Sequence, residues 1–261
     1  MTAQGPIARL GGIGRILIAA LGEGTGHTAC EAWTSLRAPE GWTRPRPDLP
    51  FAVAHRHFDT AEFVKSAPNA TTPETLTRTA AQIVLRQWLG DIARTAGEDL
   101  PFRKGPFGKP ALPPEFGLHF SLSWRRGWVA IAVSDRAPVG IDLELVPDRD
   151  TARAVGNWFF HPSEIAASTA AASDACRTFA RLWTRKEALC KAAGLSLDRM
   201  RGARTEDIAP YLEDAHGRRR AYRVATIEDG DPIKMVSVAW DAGPPAGAVS
   251  AEAGAISQPV R

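Results

Sequence analysis

Two stretches of this chain put carboxylates where an ordinary core would carry apolar side chains. In Val139-Gly140-Ile141-Asp142-Leu143-Glu144 the run of Val, Ile and Leu ahead of Pro147 predicts a strand, with Gly140 allowing close approach of another backbone. Residues two apart on a strand share a face, so Asp142 and Glu144 point one way and Ile141, Leu143 and Leu145 the other. Side-by-side carboxylates repel, and a divalent cation between them removes the repulsion. A half-exposed strand with a polar outer face accounts for the same alternation, and spacing alone does not separate the two readings.

The second stretch runs from Asp174 to Ala193, where Cys176, Phe179, Ala180, Trp183 and Cys190 fall at helical spacing on one face. Glu187 shares that face, four residues after Trp183 and four before Lys191. Asp174 is placed to cap the helix start and Gly194 its end. A carboxylate inside an apolar stripe needs a partner, because burying it unpaired is costly. Lys191 satisfies it through a salt bridge; a metal shared with Asp142 and Glu144 is the alternative. Between the two stretches lies Phe160-His161-Pro162-Ser163-Glu164, where Glu164 reads as a structural residue at a helix start.

In order, these residues resemble a known family. Gly-Ile-Asp-x-Glu, then Phe-x-x-x-Glu, then Trp183-x-x-Lys186-Glu187-Ala188-x-x-Lys191-x-x-Gly194 resembles the signature of the 4'-phosphopantetheinyl transferases of the larger, surfactin-synthetase-activating (Sfp) type. Upstream, Gly108-Lys109-Pro110 and Phe120-Ser121-Leu122-Ser123 are similar to the family's Gly-Lys-Pro and Phe-Asn-x-Ser-His segments. The resemblance runs from about Arg78 to Gly194.

The resemblance implies an α+β fold of two similar halves, each a helix packed on antiparallel sheet and related by a pseudo-twofold. Residues 1–136 would contact coenzyme A and 137–240 would carry the magnesium and catalytic residues, while 241–261, rich in Ala, Gly, Pro and Ser and without period, are expected from composition to form a disordered tail. The implied reaction moves the phosphopantetheine arm of coenzyme A onto a serine of an apo acyl or peptidyl carrier protein, releasing adenosine 3',5'-bisphosphate, for fatty acid, polyketide or nonribosomal peptide synthesis. By the same resemblance Asp142, Glu144 and Glu187 hold Mg2+, and Asp142, Glu187 and Lys191 are catalytic. Arg78, Lys109, Ser123, Trp124, Lys186 and Lys191 bind coenzyme A. One position departs from the family: Trp124 stands where it usually has His. An indole neither carries charge nor accepts a hydrogen bond. Either Arg125 and Arg126 compensate, or the chain binds carrier protein or coenzyme A without transfer.

The elements that must position these residues follow from periodicity and turn signals. Strands are expected over Gly14–Leu21 and Phe51–Phe58, and a long helix over Thr71–Gly97. A hairpin of Leu118–Trp124 and Trp128–Ser134 turns at Arg125-Arg126-Gly127, and helices follow at Thr151–Phe159, Pro162–Ala172 and Asp174–Ala193. A second hairpin joins Tyr222–Ile227 to Ile233–Trp240. With 261 residues, 44% of them hydrophobic, the chain can bury a sizeable core. Its net charge of +3 suits an anionic substrate without pointing to nucleic acid, for which no reader module is visible. A basic nucleic-acid-binding protein is therefore the weaker alternative. Three scattered cysteines indicate neither a disulfide scaffold nor zinc, and His55 and His57 read as surface-strand residues. Without a membrane-spanning run or a secretory signal, a cytoplasmic monomer is expected.

Overall fold

A computed structural model describes residues 52–57, 72–170, 174–205, 210–213, 219–227 and 232–241. The strand expected over Gly14–Leu21 and the tail beyond Asp241 lie outside the described residues. The long helix α1 (Pro73–Ala93) begins where Thr72 caps it, its side chain accepting from Thr75 N at 3.2 Å. One stripe of α1, including Ala80, Val84 and Trp88, is buried. It lies on a three-stranded antiparallel sheet of β1 (Ala52–His57), β5 (Trp128–Ser134) and β4 (His119–Arg125), in the order β1-β5-β4. Strand alternation sorts β5 cleanly. Val129, Ile131 and Val133 face α1, while Ala130 and Ala132 face a second sheet. His55 is buried beside Trp128 and His57 is exposed, so only one of the two fits the surface reading.

The second sheet is built from β6 (Val139–Leu145), β10 (Lys234–Asp241), β9 (Arg219–Ile227), β8 (Tyr211–Glu213) and β7 (Ala203–Arg204), all antiparallel and in that order. Asp241 thus ends a strand and does not begin the tail. Val139, Ile141 and Leu143 of β6 join Val236 and Val238 of β10 against Val53, Ala130 and Ala132, which forms the core between the sheets. Each fully buried Val, Ile or Leu among them contributes about 1.5–3 kcal/mol. A short ribbon, β2 (Arg103–Lys104) with β3 (Pro110–Ala111), sits beside the first sheet.

Three helices follow β6: α2 (Arg149–Phe159), α3 (Pro162–Ala170) and α4 (Ala175–Ala193). Helix α2 starts earlier than the pattern indicates because Asp148 accepts from Thr151 N at 2.8 Å and caps it. Helix α4 crosses the outer face of the second sheet. It comes so close that a Cβ on Gly140 would stand 2.0 Å from Ala188 O and 2.4 Å from Ala192 N. Gly194 ends α4 at φ 67°, donating its N–H to Cys190 O and Lys191 O. Asp174, expected to cap the start, makes no side-chain cap bond and lies 3.9 Å from Arg177 instead. The outcome is an α+β arrangement in four layers: α1, three-stranded sheet, five-stranded sheet, α4.

Candidate functional site

Where the edges of the layers meet, a cleft of about 900 Å³ opens, lined by α1, β2, β4, β6 and the C-terminal turn of α4. Strand alternation delivers its acidic wall. Ile141 and Leu143 face the inter-sheet core, so Asp142 and Glu144 must face the opposite side, toward α4. On α4, Glu187 and Lys191 are one turn apart and line the same cleft. Lys191 Nζ lies 2.6 Å from Asp142 Oδ1 and 3.3 Å from Glu187 Oε2. Ser123 on β4 donates to Asp142 Oδ1 at 2.8 Å, and Ser121 accepts from Ile141 N at 3.0 Å, which fixes β4 against β6.

The electrostatics of this group are those of crowded acids around one base. Burial pushes the Glu187 carboxyl up to about 8, and the neighbouring Asp142 charge adds to the rise. Burial alone would lower the Lys191 ammonium, but Asp142 and Glu187 more than offset it and the net direction is upward. Burial also raises Glu144, against the opposing pull of Leu145 N–H and Arg125.

The donor set fits a hard divalent cation. Asp142 Oδ2 is buried and has no hydrogen-bond partner among the described residues, and Glu187 beside it is an acid that a further positive charge would ionise.

The expected site residues divide in three ways. Asp142, Glu144, Glu187, Lys191, Ser123, Trp124, Lys109 and Arg78 all line the cleft. Within it, Asp142 and Glu187 meet at Lys191, whereas Glu144 turns to Arg125 at 2.9 Å and to Leu145 N at 3.0 Å. Among the described residues no three acidic, His or Cys side chains stand close enough to form a ready metal centre. Lys109 is engaged too: its Nζ donates to Val139 O at 3.0 Å and Lys191 O at 2.6 Å, tying the Gly-Lys-Pro segment to β6 and α4. Lys186 is a correction. Expected to meet phosphate, it is fully buried and paired with Glu164 at 2.9 Å, away from the cleft. One residue along a helix turns the side chain by about 100°, so Lys186 cannot follow Glu187 into the opening. Glu164 accepts from His161 N at 2.8 Å as well, which gives it the structural role expected.

Sequence reasoning missed Arg86, Phe102, Arg103 and Lys104, which also line the cleft. The adjacent cations of Arg103-Lys104, just ahead of Gly108-Lys109-Pro110, were the available signal.

Residues 138–237, which carry Asp142, Glu144, Glu187 and Lys191, match the 4'-phosphopantetheinyl transferase superfamily. The chain is 34% identical over 114 residues to the 4'-phosphopantetheinyl transferase gsp of Aneurinibacillus migulanus, covering 43% of this chain and 46% of that protein. It is 40% identical over 91 residues to the 4'-phosphopantetheinyl transferase AcpT of Escherichia coli K12, covering 34% and 47%. To the 4'-phosphopantetheinyl transferase of Bacillus subtilis it is 34% identical over 92 residues, covering 35% and 40%. The chain spans about half the length of the curated relatives it matches. The segment that holds the acidic wall of the cleft is thus the part of the chain that is similar to the 4'-phosphopantetheinyl transferase superfamily.

Proposed function

We propose that this protein transfers 4'-phosphopantetheine from coenzyme A to a serine hydroxyl of an apo acyl or peptidyl carrier protein, with magnesium as cofactor. The observation that carries the reading is the meeting of Asp142 and Glu187, remote in sequence, at one lysine inside an open cleft. In the reaction the serine oxygen bonds to the β-phosphorus, the bond from that phosphorus to the bridging oxygen breaks, and adenosine 3',5'-bisphosphate leaves with the electron pair. Bound between Asp142 and Glu187, with Glu144 as a third oxygen donor once freed from Arg125, magnesium would supply charge neutralisation on the pyrophosphate. Lys191 keeps its proton and offers positive charge to the leaving group. Ser123 holds Asp142 in orientation, and the serine's proton passes to a carboxylate of the Asp142–Glu187 pair. Arg78, Lys109 and Trp124 line the part of the cleft assigned to the nucleotide.

In this reading residues 1–136 furnish the coenzyme A contacts and 137–240 the metal and catalytic ones, in a cytoplasmic monomer that binds no nucleic acid. Its carrier serves fatty acid, polyketide or nonribosomal peptide synthesis. Among the described residues no helix is long and apolar enough to cross a membrane. The test is incubation of the pure protein with coenzyme A, Mg2+ and a panel of apo carrier proteins, read by mass spectrometry. A phosphopantetheine mass gain on the carrier serine is expected. Coenzyme A binding with no gain on any carrier would favour the non-transferring reading that Trp124 suggests, and absence of binding would remove both.

A further inference from the structure

Strand β4 presents alternate residues to the two faces of its sheet. Phe120, Leu122 and Trp124 pack toward α1, which sends Ser121, Ser123 and Arg125 to the opposite face, against β6. These three meet β6 in step. Ser121 Oγ accepts from Ile141 N at 3.0 Å, Ser123 donates to Asp142 Oδ1 at 2.8 Å, and Arg125 Nε lies 2.9 Å from Glu144 Oε1. Register therefore places residue 125 opposite Glu144, and because it is arginine this carboxylate has a cation of its own. Glu144 Oε1 also accepts from Leu145 N at 3.0 Å, while Asp142 and Glu187 converge on Lys191. Among the described residues, the third acid of the wall is thus held apart from the other two.

Arg125 ends β4 with its backbone paired to Trp128 across the hairpin, but its side chain is 47% exposed, against 24% for Glu144. An ion pair this open to water is weak. Its guanidinium can withdraw into solvent and leave no buried charge behind on its own side. A guanidinium and a hard divalent ion both seek carboxylate oxygen. An ion drawing on Asp142 and Glu187 therefore gains Glu144 at the expense of Arg125. We propose that Arg125 competes with the divalent ion for Glu144 and so sets the magnesium concentration at which the site fills. The inference rests on the magnesium reading of the cleft.

The test is titration of the full-length protein with Mn2+, followed through the paramagnetic resonance of the free ion, with Mg2+ then added as competitor. Wild type is compared with Arg125→Ala, Arg126→Ala, Glu144→Gln, the double variant Arg125→Ala/Glu144→Gln, and Asp142→Asn. Arg125→Ala should tighten Mn2+ binding about threefold or more, and Mg2+ should show the same gain. Arg126→Ala, which removes the same charge one residue on, should leave the affinity nearly unchanged. With Glu144→Gln already in place the gain from Arg125→Ala should disappear, because the arginine then has no carboxylate to withhold. Unchanged affinity in Arg125→Ala overturns the competition, and so does weaker binding, which would make Arg125 a residue that orients Glu144 for the ion. A gain as large in Arg126→Ala, or one that persists with Glu144→Gln, reduces Arg125 to a remote charge and overturns it too. Both arginines are exposed at the hairpin turn, so their variants keep the fold in which the comparison is read. Mn2+ uptake that Asp142→Asn does not reduce overturns the magnesium reading itself, and the inference with it.

Discussion

At the scale of single residues, Gly140 and Lys109 do structural work that sets the cleft's geometry. Gly140 lets the α4 backbone reach β6, and a methyl group there would run into peptide atoms that cannot swing aside. Gly140→Ala is expected to destabilise the fold by about 3 kcal/mol; an unaltered urea midpoint would show that α4 can retreat freely. Lys109 is lowered to about 8 by burial first and by the Lys191 charge second. In the unfolded chain its ammonium persists to about pH 10.4. Between those values the unfolded state holds more protons than the folded one, so this residue's contribution to stability rises with pH. The neutral amine still has two N–H groups for its two carbonyl acceptors. The gap in stability between wild type and Lys109→Met should therefore widen in favour of wild type from pH 8 to 10. A constant gap across that range would contradict the buried placement.

At the scale of elements, α4 organises the site because it is buried on several sides at once. Its Lys186 binds Glu164 and Ala203 O, tying α3 and β7 to it, while Thr184 meets Ser237 of β10 at 2.8 Å. Breaking the Lys186–Glu164 pair from one side leaves a buried charge. Lys186→Met or Glu164→Leu alone should each cost about 3–5 kcal/mol, and the double variant less than the sum. Strict additivity in thermal or urea unfolding would argue that the pair is solvated.

Much of this element level was legible in the sequence. The β6 alternation placed Asp142 and Glu144 together, the Trp183–Glu187–Lys191 row was seen, and Gly140 and Gly194 announced a close approach and a helix end. What escaped were the pairings. Sequence spacing cannot tell that Glu144 turns to Arg125, that Lys109 reaches carbonyls of β6 and α4, or that Lys186 faces inward, since each depends on a partner distant in the chain.

At the scale of the whole molecule, two helix-on-sheet halves face each other through an aliphatic core, and the cleft draws on both. One half brings Arg78, Lys109, Ser123 and Trp124, the other Asp142, Glu144, Glu187 and Lys191. The central claim is that Asp142 and Glu187 act together on the pyrophosphate. It is tested most directly by the initial rate of phosphopantetheine transfer to an apo carrier protein at saturating Mg2+ and coenzyme A. Asp142→Asn and Glu187→Gln are compared with wild type, each checked for an unchanged fold by circular dichroism. Each should fall by about a hundredfold or more. Glu144→Gln should fall less, because magnesium retains waters that can replace one carboxylate. Rates within about twofold of wild type for either Asp142→Asn or Glu187→Gln would contradict the claim.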